Sequence, residues 1–217
     1  MFSLDSSSVQ FLPSLEFLIK LIGGLTAVVL FIVGFKRYSR DLRWKKNEFV
    51  ANVIKEFYGN PRVMNALYML DWGSRKIELF PTDPNYSKRF VIVTHAILQE
   101  ALKSHRIRNK FNPEEVAIRD TFDEFLNQLE KFDHFVEAEL VSCDEFKPYL
   151  IYWIRTIALD LNPNLREILH QYIEEYDYEG VQHFFQLFGY NIAPKEKIVS
   201  TTQPKNEFEE QTEPSIQ

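Results

Sequence analysis

Apolar residues change their spacing along this chain, and each spacing predicts a different element. Leu21 to Phe35 contains no charged residue, and extending the stretch back to Phe17 admits only Lys20. Apolarity on every face over about 20 residues predicts a helix long enough for a hydrocarbon core of about 30 Å, here residues 11–35. Beyond it, Leu42, Phe49, Val50, Val53, Ile54 and Phe57 recur mostly at steps of three and four. The helix should therefore run on as an amphipathic one and end at the Gly59-Asn60-Pro61 break. Pro61 opens a second helix carrying Val63, Met64, Leu67, Tyr68 and Leu70. Asp71 to Tyr86, with Gly73, Pro81 and Pro84, reads as a loop, and Ser87 to Ser104 as a further helix.

The longest helix of the remaining chain should start at Asn112, a good N-cap ahead of Pro113 and the acidic pair Glu114 and Glu115, and run toward Leu140. Along it Ile118, Phe122, Phe125, Leu129, Phe132 and Val136 lie at alternating steps of four and three, with Leu126 widening the seam. The run is too short for a coiled coil by itself and reads as core packing within a bundle. Pro148 to Leu159 is apolar on most sides and reads as a central buried helix. Asn162-Pro163 starts another helix to about Tyr176, and a last one covers about Glu179 to Phe188. No alternating strand series is read. The fold class expected is all-α: a short terminus at 1–10, the apolar helix at 11–35, a basic segment at 36–46, a helical domain at 47–194 and a disordered acidic tail at 195–217.

Charge gives this layout a direction. Lys36, Arg37, Arg40, Arg43, Lys45 and Lys46 face a single acid, Asp41, directly behind the apolar run. By the positive-inside rule the chain after Phe35 is expected to be cytoplasmic, with the N-terminus outside, and the basic cluster to meet anionic lipid. Asp5 and Glu16 precede the apolar run, whereas a secretory signal carries its positive charges there. The 217-residue chain has a formal charge of −6 despite this basic segment, so the remainder is acidic and nucleic-acid binding is not expected. The single cysteine, Cys143, rules out an intramolecular disulfide framework.

Candidate chemistry is sparse. Gly23-Gly24 lies in the apolar run, and no glycine-rich phosphate loop is present. Glu167 and His170 have a metal-ligand spacing, but a di-iron bundle needs a second such motif. Glu130 with His134, and Glu179 with His183, sit four apart, a spacing read as solvated pairs on a helix face. No cofactor and no metal are expected. The spacing of Arg89 and His95 resembles the motif of HEPN-type helical ribonucleases. That resemblance implies His95 as acid or base and Arg89 as a phosphate stabiliser, although Phe90 stands where the family has a polar residue.

The layout of apolar helix, basic linker and the stretch RWKKNEFVANVIKEFY over residues 11–190 is similar to a family of small uncharacterised bacterial membrane proteins. The resemblance implies no activity. Stepping by four and three through the apolar run gives Glu16, Lys20, Gly23, Ala27, Leu30 and Gly34, which collects the ionisable residues and most small ones on one stripe. Small residues allow close helix approach, so the stripe predicts a homo-oligomer contact. The function expected is a membrane-anchored, non-catalytic interaction or sensor module for a cytoplasmic partner or ligand; the alternative is a membrane-tethered ribonuclease using Arg89 and His95.

Overall fold

The computed structural model describes residues 11–192, with side chains from Phe17 onward. The expected outer terminus at 1–10 and the acidic tail at 195–217 lie outside the described residues. The first helix, α1 (Phe11–Gly59), is 49 residues of unbroken α-helix, about 73 Å long at 1.5 Å per residue. Its sequence explains the continuity, because neither glycine nor proline occurs between Gly34 and Gly59. Side chains from Phe17 to Glu48 are exposed, and burial begins at Phe49 and Val50. One helix is thus long and apolar enough to cross a membrane, and its final turns belong to the folded domain.

Asn60 breaks α1 and caps α2 (Pro61–Asp71), its side chain accepting from the Arg62 N–H at 2.9 Å. Residues 71–86 are not all loop, and 87–104 is not all helix. Ser74–Glu78 (β1) pairs antiparallel with Phe90–Thr94 (β2), with Ser74 opposite Thr94 and Ile77 opposite Val91. The physical reason lies in the residues themselves, since five consecutive β-branched or aromatic side chains in FVIVT favour an extended chain. An isolated two-stranded hairpin is marginal, but this one buries Ile77 and Val93, and Asn65 of α2 donates to the Glu78 carbonyl at 3.0 Å. Helix α3 (His95–Ala101) follows, capped by the Thr94 hydroxyl. The chain remains mostly helical, 74%, so the hairpin decorates an all-α fold.

Helix α4 (Pro113–Glu137) is the centre of the bundle and packs against α2, α3 and α7. The expected N-cap, Asn112, is part of a capping box: its side chain accepts from Glu115 N–H, and Glu115 accepts from Asn112 N–H, both at 2.8 Å. Ile118, Phe122, Phe125, Leu126, Leu129 and Phe132 are all buried. Phe132 is a hub, its ring 4.9–5.9 Å from those of Phe57, Phe146 and Phe184. That single cluster ties α1, α4, α5 (Cys143–Arg155) and α7 (Glu179–Leu187) together, with α6 (Pro163–Glu175) between the last two.

The segment expected as a central buried helix is instead peripheral. α5 starts earlier, at Cys143, contains Pro148 and passes into a π-helical turn over Thr156–Asp160. It buries Phe146, Leu150 and Ile154 but leaves Tyr149, Ile151, Tyr152 and Leu159 between 41% and 57% exposed. Its buried residues step by four, which marks a one-sided helix. Tyr152 donates to Asp71 at 2.7 Å.

Candidate functional site

The apolar part of α1 offers its side chains to nothing within the described chain. Phe17, Ile22, Leu25, Leu30 and Phe31 are each at least 63% exposed, which is untenable in water for so many neighbours on one rod. Along the expected stripe, Glu16 lies in the helix, Lys20 and Ala27 are exposed, Leu30 is 66% exposed, and a Cβ on Gly23 or Gly34 would meet no atom within 4 Å. Among the described residues, no second helix approaches Gly23 or Gly34. Lys36, Arg37, Arg40, Arg43, Lys45 and Lys46 are all exposed on the next three turns. Steps of four and three put Lys36, Arg40 and Arg43 on one face; Trp44, 69% exposed, lies beside that face, and Tyr38, 62% exposed, lies on the opposite side near Lys45. Amphipathic rings beside lysines and arginines are the side-chain types that favour a headgroup layer.

Arg89 and His95 are not brought together. They bracket β2, whose extended backbone separates their Cα atoms by roughly 15–20 Å. The Arg89 Nε donates to the Asp83 carbonyl at 2.7 Å, which holds the hairpin loop closed. His95 is half-buried at the start of α3, and its Nε2 is enclosed without a hydrogen-bond partner. One chain therefore offers no cleft in which the two side chains meet.

What the fold does assemble lies at the two ends of α4. Near its N-terminus, Arg119 is 6% exposed, with its guanidinium carbon 4.5 Å from the ring centre of Phe111, 4.8 Å from Tyr172 and 5.2 Å from Tyr176. It donates to the carbonyls of Ala101 and Lys103 at 2.7 and 2.9 Å, and to the Tyr176 hydroxyl. One turn on, Asp123 accepts from the hydroxyls of Tyr172 and Tyr178 at 2.5 and 3.0 Å. Burial, and then the Asp123 carboxylate, push both phenols well above their ordinary range, so they stay protonated donors. Bonded to two carbonyls and a hydroxyl and packed among three rings, the guanidinium serves as a structural tie between α3, α4 and α6.

Near the C-terminus of α4, Asp133 is only 2% exposed, and its Oδ1 lies 2.8 Å from Nδ1 of His183 on α7. Glu137, one turn beyond Asp133, has Oε1 at 3.9 Å from the same nitrogen. Burial raises the Asp133 carboxyl above its ordinary range, opposed by the His183 contact. α7 reaches this spot because it carries Gly180: a Cβ there would stand 3.3–3.4 Å from Glu130 and Asp133 atoms. His183, read from spacing as a partner of Glu179, is paired across helices with Asp133. Fifty residues separate Asp133 from His183, so no spacing rule could find it. The one local signal was Gly180, two residues into a helix that otherwise reads apolar.

An open cleft of about 600 Å³ lies beside the hairpin, lined by Arg62, Asn65, Phe80, Phe111, Val116 and Asp120 among others. Its charges are mixed and its walls partly apolar, with no nucleophile–base pair. Comparison with family models, with curated proteins and with solved structures returns no match, so the geometry of this chain carries the functional argument by itself.

Proposed function

We propose that the chain is a single-span, membrane-anchored helical module, with the folded part on the cytoplasmic side, acting through contact with a protein partner or ligand at the membrane surface. One observation carries this reading: a single unbroken helix exposes a stretch of about 19 residues, Phe17 to Phe35, whose one charged residue is Lys20, and later buries Val50, Ile54 and Phe57 in the domain core. At 1.5 Å per residue the exposed stretch is about 28 Å, close to a hydrocarbon core. A signal sequence has similar length and apolarity, but the charges here follow the apolar run, which favours a retained anchor and an inside domain. Anionic lipid is the natural counterpart of the exposed basic face, at about 1 kcal/mol for each cation near the surface.

The test is topological. In a Cys143→Ser background, an impermeant thiol reagent applied to intact cells should label Ser7→Cys. Ile107→Cys, 73% exposed in the domain, should react only after the membrane is opened. Reversed labelling, or recovery of the protein in the soluble fraction, overturns the proposal.

A further inference from the structure

We infer that Asp133, Glu137 and His183 form a binding site for a first-row divalent transition metal of the zinc class, bridging α4 and α7. The three ligand atoms lie within 4.8 Å of one another. A bond of about 2.0–2.2 Å from metal to nitrogen or oxygen places two ligands of one ion about 3–3.5 Å apart. The observed separations from His183 Nδ1, 2.8 Å to Asp133 and 3.9 Å to Glu137, fall on either side of that range. Seating an ion needs a rotation of Glu137, whose side chain is 57% exposed, and a few tenths of an ångström of opening between His183 and Asp133 as their hydrogen bond gives way to metal ligation.

Three features set this cluster apart from the exposed acidic groups common on any surface. It contains an imidazole, the ligand that separates zinc-class ions from calcium and magnesium, which take oxygen ligands alone. One of its carboxylates is 98% removed from solvent, where two neighbouring acids, Glu130 and Glu137, would otherwise stand beside it with only a hydrogen bond from a half-exposed histidine. The third feature is steric. A Cβ at Gly180 would stand 3.4 Å from Asp133 Oδ2 and from Glu130 Oε1, so the glycine lets α7 lie close enough to α4 to bring His183 to the two carboxylates. Asp133 and Glu137 are one turn apart on α4, which fixes both on the face that α7 covers. Metal binding would take the Nδ1 lone pair of a neutral His183 and leave its proton on Nε2. The ion would then pin the last helix of the domain to the central one, independently of membrane anchoring.

The test uses full-length protein in detergent, freed of any affinity tag. Equilibrium dialysis should show one Zn²⁺ per chain, with Mg²⁺ and Ca²⁺ binding far more weakly, and a hundredfold excess over Kd should raise the melting temperature by about 5–10 °C. Glu137→Gln and His183→Gln should each weaken zinc binding at least about tenfold, while His134→Gln, an exposed neighbour, should bind as the native protein does. Glu137→Gln keeps the test clear of folding, because the side chain is exposed. The inference is overturned if the native protein binds no zinc, if both variants bind it as tightly as the native chain, or if calcium binds equally well.

Discussion

The two ends of α1 are one helix by backbone and two materials by side chain. Between Phe17 and Phe35 the residues are apolar around the helix but for Lys20 and Thr26, and the side chains are exposed; between Phe49 and Phe57 apolar residues keep to one face, and that face is buried. Uniform apolarity has no unique direction in which to pack, so it asks for a surrounding apolar medium. One-sided apolarity asks for a partner surface, and the domain supplies it through Phe125, Phe132 and Phe135. The same comparison explains α5, whose apolar content resembles the outer stretch but whose buried positions recur in one direction only.

Substitutions in the two ends should therefore have separable effects. The largest is expected from Val28→Arg with Phe31→Arg: placing two arginines near the middle of a span costs about 5–7 kcal/mol, so the protein should leave the membrane pellet while the melting of the domain stays unchanged. Retention in the pellet would show that the outer stretch does not hold the chain there. Phe57→Ala should reverse the pattern. With Phe57 1% exposed among aromatic rings, its truncation should cost about 3–5 kcal/mol in urea denaturation and leave membrane partition intact. A loss of partition in a variant that still folds would mean that the ends do not act separately.

The smallest effect concerns the capped start of α4, far from the anchor. Burial would raise the Glu115 carboxyl, yet the Asn112 N–H and the Arg108 guanidinium at 2.7 Å together hold it below its ordinary range. A lowered folded-state pKa gives stability that is present above the unfolded value of about 4.3 and is lost as pH falls through the folded one. Glu115→Gln keeps the capping geometry and removes the charge. It should cost about 1 kcal/mol at pH 7, the partial exposure of Arg108 limiting the effect, and native and variant stabilities should converge as the medium is acidified below pH 4. Membrane partition should not respond.

The legible parts of this fold are those dictated locally. Asn112-Pro113-Glu114-Glu115 announces α4 because cap, ring and charges act within one turn, and the seam from Ile118 to Phe132 is buried as its spacing requires. The hairpin was carried by FVIVT, a strong extended signal, but its partner SRKIE holds four polar residues and acquires a strand's role only by pairing. For α5, the count of apolar residues hid their direction. The His183–Asp133 contact depends on how α7 docks on α4, a tertiary event with no trace in spacing; likewise Arg89 and His95 look like neighbours along the chain and are held apart by an extended strand.

The absence of any hinge residue between Gly34 and Gly59 has a mechanical consequence. From Lys36 to Glu48 the exposed rod spans about 20 Å, which sets the standoff of the domain from the apolar stretch, and each residue turns the helix by about 100°. Height and azimuth are thereby coupled: the domain faces its surroundings in a direction dictated by the register of α1, and one inserted residue in this rod would lift the domain by about 1.5 Å and swing it through more than a quarter turn. A flexible tether would deliver only proximity. This shaft transmits twist.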